Sequence, residues 1–393
     1  MKTQYKFLFV LLITMQTVLA QNVKVFSKSF KTDKNTTAYI EIPDGSVKFV
    51  VSPDDNIHID YDINFIKLPK KDHKRILDST RIEATQENNF ITIKKYPNNK
   101  KPVGLDHITA FSLDRHLYAK KDTTKTISRK LKADISNEIT EIKSYKSFFE
   151  ERAKITYAND LKRKEKYLKK AVKSENRRNF KRIFIIKVPK NISLKIVAKG
   201  SLLNFHDEFD NQLSIRLDYG RLYINKIDNP KNEIKINNSL LVANEISGGK
   251  LETDRVFKAL ITKLNNVDIE SEFSKIEIGE LGKGNKITDF NSEYFFYNWA
   301  ENFQRFNLFS EYSKIHFYYP DLNHSLEVIG YNTRNLLGDD NSEITMQPKS
   351  KQRNLLMSKP SKPEEKISGH IFFDIVNGII YSHNDSIKTI NKN

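Results

Sequence analysis

The sequence predicts a mainly β protein, a parallel β-solenoid carrying a helical insertion. Three observations predict it. A degenerate repeat of roughly nineteen residues runs from Leu213 to Arg334, the mark of stacked copies of one small unit. The flanking segments alternate apolar and polar residues with a period of two, and between them lies a stretch with helical periodicity.

In chain order, Met1-Lys2-Thr3-Gln4-Tyr5-Lys6, an apolar run from Phe7 to Ile13 and Val18-Leu19-Ala20 predict a secretory signal over 1–20, cleaved before Gln21. The apolar run is too short to span a membrane. With no Cys, disulfides, thiolate metal sites and Cys nucleophiles are excluded, so the fold must rest on its apolar core. Residues 21–96 read as an N-terminal β segment, in which Ile57 to Phe65 alternates strictly. Residues 97–182 read as a basic helical insertion, with an i+3/i+4 stripe that includes Ile127, Leu131, Ile135, Ile139 and Ile142.

Residues 183–393 read as the repeat region, with a Pro-containing loop near 347–366. Clear copies of the repeat are Asp218-Tyr219-Gly220-Arg221, Glu272-Phe273-Ser274-Lys275 and Glu311-Tyr312-Ser313-Lys314, each followed by apolar/polar alternation. The spacing places equivalent turns at Gly220, Ser239, Phe257, Ser274, Glu293, Ser313 and Thr333. Ile215, Leu217, Leu222, Ile224, Ile276, Ile278, Ile315 and Phe317 are then expected to face a continuous core. The acids Asp218, Glu272 and Glu311 are expected to pair with the bases Arg221, Lys275 and Lys314. The segment from Gly369 to Tyr381 is expected to close the sheet.

Val188-Pro189-Lys190-Asn191 followed by Leu194, and rungs such as Leu217-Asp218-Tyr219-Gly220-Arg221-Leu222-Tyr223-Ile224, resemble the bacterial "putative adhesin" β-strand-repeat family, related to head-GIN-domain envelope proteins. The resemblance covers about 22–96 and 183–393. It implies a right-handed parallel β-solenoid on the cell envelope, and it brings no catalytic residues. The helical insertion departs from the family pattern.

No metal or cofactor site is expected. The nine His are scattered, with no HExxH arrangement. The acidic clusters Asp54-Asp55 and Asp339-Asp340-Asn341-Ser342-Glu343 lack the ligand spacing of a Ca²⁺ loop. Ser247-Gly248-Gly249-Lys250 is followed by Leu251, so it reads as a turn in place of a phosphate loop.

Two features stand out. Net charge is +17, and the 11 Lys and Arg from Lys162 to Arg182 face only Glu165 and Glu175. Lys162, Arg163, Lys166, Lys169, Lys170, Lys173, Arg177 and Arg178 therefore form a candidate polyanion-binding face. An aromatic-rich stretch from Phe290 to Tyr319 is read as an internal ladder, with Trp299, Tyr318 and Tyr319 as candidate carbohydrate-stacking residues. Alternation keeps Tyr318 and Tyr319 from both facing inward, so one is expected at the surface.

Together these features indicate an exported, non-enzymatic adhesin-like or interaction scaffold of the bacterial envelope, whether periplasmic, outer-surface or secreted. The expected partners are anionic polysaccharide, the envelope surface or another envelope protein, with no specific nucleic acid and no membrane span in the mature chain. The alternative is a polysaccharide-active β-helix enzyme, a lyase or hydrolase. Recurrence of the same charges at each rung favours the scaffold, because a catalytic site occurs once.

Overall fold

The computed structural model describes residues 21–96, 180–336, 353–358, 364 and 366–383, apart from the single positions 67, 79, 302 and 321. The signal segment 1–20 and residues 97–179 of the expected insertion 97–182, including Lys162, Arg163, Lys166, Lys169, Lys170, Lys173, Arg177 and Arg178, lie outside the described residues, while 180–182 begin a strand in place of ending a helix.

The repeat folds as coils of two strands each: β8 (Leu213–Asp218) and β9 (Arg221–Asp228), β10 (Glu233–Asn237) and β11 (Leu240–Ser247), β12 (Lys250–Asp254) and β13 (Lys258–Asn265). The series continues with β14 (Asp268–Glu272) and β15 (Lys275–Leu281), β16 (Asn285–Phe290) and β17 (Glu293–Trp299), then β18 (Gln304–Glu311) and β19 (Lys314–Tyr318). Even-numbered strands pair in parallel to form one face, and odd-numbered strands form the other.

This parallel register turns sequence alternation into columns. On the first face Ile215, Ile234, Leu251, Ile269, Ile287 and Leu308 line up inward, and all are buried. On the second face Leu222, Leu241, Ala259, Ile276, Tyr294 and Ile315 do the same. Each large apolar side chain so buried contributes about 1.5–3 kcal/mol relative to exposure. The expected core residues Ile215, Leu217, Leu222, Ile224, Ile276, Ile278, Ile315 and Phe317 are all buried.

Between the two faces the chain turns through a residue at positive φ: Tyr219, Asn238, Arg255, Phe273, Asn291 and Tyr312. A small buried residue follows. The amide of Gly220 donates to Ser239 Oγ at 3.0 Å and that of Val256 to Ser274 Oγ at 3.1 Å. Ser274 donates likewise to Ser292 Oγ at 3.0 Å, and Ser292 to Ser313 Oγ at 3.1 Å. The equivalent turn positions are therefore Val256 and Ser292, one residue before the expected Phe257 and Glu293. The hydroxyl ladder selects the small residue directly after the left-handed one, which counting intervals does not reveal.

At the N-terminal end, β2 (Thr37–Val51) is one long strand lying against β7 (Ser193–Phe209). On the other side of β2, β5 (Phe90–Lys95) pairs with residues 37–41 and β6 (Phe180–Val188) with residues 46–51. Thus β5 and β6 form one coil, with 97–179 between its halves. Outside it lie β4 (Ile82–Glu87), antiparallel on β5, and β3 (Asn56–Phe65), antiparallel on β6, with β1 (Gln21–Lys31) antiparallel on β3. Such pairing covers backbone edges that would otherwise invite association. One short helix, α1 (Lys70–Asp78), unforeseen in the sequence, buries Ile76 and stacks His73 on Phe65 at 3.8 Å between ring centres.

At the other end, β20 (His324–Tyr331) and β21 (Arg334–Leu336) do not stack on β18 and β19. The last strands among the described residues, β23 (Gly369–Val376) and β24 (Ile379–His383), sit between them in parallel register. Within the stretch expected as a loop near 347–366, β22 (Arg353–Ser358) forms an antiparallel cover on β20.

One inward column is polar. Thr253, Ser271, Asp289 and Ser310 are adjacent across β12, β14, β16 and β18, and all are buried. Asp289 accepts hydrogen bonds from Ser271 at 2.6 Å, from Ser310 at 3.1 Å and from Ser313. Burial pushes its carboxyl above the usual range, and the serine hydroxyls oppose that shift. This network ties three strands together directly beneath the surface described next.

Candidate functional site

The outer side of the first face carries an open groove of about 710 Å³. The repeat motif builds it. Its acidic residue ends an even-numbered strand and points outward, so Asp254, Glu272, Phe290 and Glu311 form one column. Glu252, Glu270, Thr288, Phe309 and Asp374 form the next. The aromatic residue of the motif follows at positive φ, at 49° for Phe273 and 58° for Tyr312. Bulky side chains seldom occupy that region, and here the stacked turns hold them in it.

The result is a row of rings along the rim. Phe273 and Phe290 meet edge-to-face at 5.6 Å, and Phe290 and Tyr312 at 5.8 Å. Phe273 is 45% exposed and Phe290 38%, although apolar rings of this size are ordinarily buried.

The charges are unevenly neutralised. Glu252 pairs with Lys235 at 2.7 Å and Lys250 at 3.1 Å, and Glu270 pairs with Lys250 at 2.8 Å. Asp254 pairs with Arg255. Among the described residues no basic side chain lies within ion-pair distance of Glu272, Glu311 or Asp374. The expected pairing of Glu272 with Lys275 and of Glu311 with Lys314 is not formed. The turn sends acid and base to opposite faces, so Lys275 reaches Glu293 at 3.5 Å, while Asp218 meets Arg216 at 3.7 Å.

The second face also carries outward aromatics, but they close on each other. Phe295, His316 and Tyr381 stack with ring centres 4.0 and 4.8 Å apart, and Lys275 Nζ lies 4.6 Å above Phe295. A hydrogen bond from His316, helped by the charges of Lys275 and Lys314, holds the Glu293 carboxyl down at about 2 despite its partial burial. Burial, followed by the Glu277 charge, pushes the Tyr297 hydroxyl up to about 12. These ring faces are taken, which leaves mainly edges toward solvent.

Of the expected carbohydrate-stacking residues, Trp299 is not on a surface wall. It is 8% exposed, packs edge-on against Phe303, Phe306 and Phe317, and donates its indole N–H to the Tyr318 carbonyl at 3.0 Å. The second-face strands insert two outward residues before their last inward one, as in Ile224/Ile227, Ile261/Leu264, Ile278/Leu281 and Phe296/Trp299. Simple alternation therefore misplaces Trp299. Tyr318 points outward beside Tyr297, at 5.1 Å, on the closed second face, whereas Tyr319 packs edge-on against Phe317 at 4.8 Å. The groove residues Glu272, Phe290, Glu311 and Asp374, and Phe273 on its rim, were not singled out from sequence as a site. The signal was present in the acidic-aromatic pair of the repeat.

Two of the remaining sequence-level features have structural roles, and the acidic cluster 339–343 lies outside the described residues. Ser247 to Lys250 is a tight turn with Gly248 and Gly249 both at positive φ. Asp54 accepts hydrogen bonds from the Asn56 amide and Ser52 and lies 2.9 Å from His58, contacts that hold its carboxyl down at about 2.

No family model matches the chain, and no curated protein matches it. Two solved structures are similar to it. One is a "putative cell adhesion protein" from Clostridium sporogenes, 7% identical, with 93% of this chain and 100% of that chain covered and a TM-score of 0.20. The other is a "putative adhesin" from Bacteroides fragilis, 7% identical, with 93% of this chain and 99% of that chain covered and a TM-score of 0.33.

Proposed function

We propose that the protein is an exported, non-enzymatic adhesin-like scaffold of the bacterial envelope, and that the groove on its first face is the binding surface for a surface polysaccharide. One observation carries the reading: the exposed rings of Phe273 and Phe290 and the half-buried ring of Tyr312 form a row beside the outward carboxylates Asp254, Glu272 and Glu311. Exposed aromatic surface of this kind suits the apolar faces of sugar rings, and the polar rim suits their hydroxyls.

The hydrolase alternative needs a carboxyl poised near substrate as an acid or base. Among the described residues the carboxyl with a raised pKa is Asp289, and it is committed to three serine hydroxyls inside the core. The groove is acidic, so a polyanionic partner is repelled there. The anionic-polysaccharide expectation rests on 162–178 alone.

The test is retention on immobilised polysaccharides of bacterial surfaces. Phe273→Ala with Phe290→Ala should abolish retention of the wild-type kind while leaving the β circular dichroism and the cooperative unfolding transition in place. Retention unchanged by the double substitution, or release of sugar products over time, overturns the reading.

A further inference from the structure

We infer that the groove takes a linear glycan carrying free amino groups, an inference that rests on the groove being the binding surface. The argument begins with charge. A protein of net charge +17 concentrates Asp254, Glu272, Glu311 and Asp374 in one concavity. Two of its carboxylates, Glu272 and Glu311, are exposed and lack a described basic partner. Both adjoin the outward ring of Phe290 in the same column, one on each side. An ammonium seated on either side of that ring meets one of the carboxylates and the ring together, and a cation within about 6 Å of a ring centroid is attracted by its quadrupole.

The second step is periodicity. Successive coils present acid or ring at the strand spacing of about 4.8 Å. A pyranose chain linked through opposite ends of each ring advances by a similar step, so successive sugars keep meeting equivalent positions along the row. Its C–H faces stack on Phe273, Phe290 and Tyr312 while its amines face the carboxylates. An extended lysine-rich peptide projects same-side residues every 6.6 Å or so, two residues at about 3.3 Å each, and falls out of step with the coils. Acidic glycans are repelled by the same column, and neutral glycans leave it without counter-charge.

Titration calorimetry of the full chain distinguishes these cases. The probes are a β-1,4-linked glucosamine oligomer, its fully N-acetylated counterpart of equal length, and oligolysine, at mildly acidic pH where the sugar amine is charged. The glucosamine oligomer should bind at least about tenfold more tightly than the N-acetylated one, the scale of one desolvated cation–ring contact. Glu272→Gln with Glu311→Gln should weaken it about tenfold or more, and so should Phe290→Ala. All three positions lie at the surface, and unchanged circular dichroism confirms that the variants fold.

Equal binding of the N-acetylated oligomer overturns the amino-glycan assignment and leaves the groove as a sugar site. Equal binding of oligolysine, insensitive to Phe290→Ala, overturns it in favour of a plain cation-attracting face. Failure of the glucosamine oligomer to bind, while the protein still binds other polysaccharides through Phe273 and Phe290, sinks the amino-glycan assignment alone. Failure of every glycan sinks the groove reading too.

Discussion

The amide of Ile379 donates to the carbonyl of Ser313 at 2.9 Å, and the amide of Arg334 donates to Gly378 at 3.0 Å. The last described coil thus lies inside the stack, ahead of the coil that precedes it in sequence. A parallel ladder accepts any strand pair whose inward residues continue the columns, and Ile371, Phe373 and Ile375 continue those of Phe306, Leu308 and Ser310. The turn needs glycine at 378, because a Cβ there would stand 2.6 Å from a methyl of Ile375 and 3.0 Å from the Ser313 carbonyl.

Phe373 is the inward anchor of this inserted coil. It is fully buried and meets Phe306 at 6.2 Å and Phe317 at 5.4 Å, both edge-on. Phe373→Ala should cost about 3–5 kcal/mol, as for a large core aromatic emptied into a cavity. Urea unfolding measures it. A loss below about 1 kcal/mol, the size of an ordinary substitution, would mean the inserted coil is not seated as described.

The repeat and its inward residues were legible because parallel coils place one sequence position in one column, and Ile276 or Phe317 obeys the rule wherever it is applied. Trp299 was not, since the extra outward residue on β9, β11, β13, β15 and β17 breaks the period of two at the strand end. The order of the last coils was also hidden. Nothing local in Gly369 to His383 says that it stacks on Lys314 before Arg334 does, because both neighbours present compatible apolar columns. The groove was half legible: the acid-aromatic pair was visible, but only the turn geometry shows that Glu272 and Lys275 lie on opposite faces.

Asp289 should make stability depend on pH in an unusual direction for a carboxylate. Burial raises its folded pKa above the unfolded value of about 3.9, so the fold favours the protonated acid. Its contribution is fully present below about pH 4 and is lost as pH rises through the raised value. Glu293 acts in the opposite sense, since its stabilisation is lost as pH falls from the ordinary glutamate range to about 2. Asp289→Asn should therefore gain on the wild type as pH rises above about 4. Melting temperature against pH for the two proteins checks this, and a constant difference across that window would refute the assignment.

The insertion should be removable. Lys94 lies beside Glu41 and Ile183 beside Ser46, so the two halves of the interrupted coil straddle the corner that β2 turns between Glu41 and Ser46. Lys95 is anchored there by donating to the Pro43 carbonyl at 2.9 Å, and the Phe180 ring packs 6.2 Å from Phe65. Joining Tyr96 to Phe180 through a short Gly/Ser linker keeps every strand pair of the N-terminal end, and shortening a connection of that length lowers the entropy cost of closing it. The shortened protein should unfold in one cooperative transition with undiminished β circular dichroism and full groove binding. Loss of the cooperative transition would show that residues 97–179 contribute to the core of the stack.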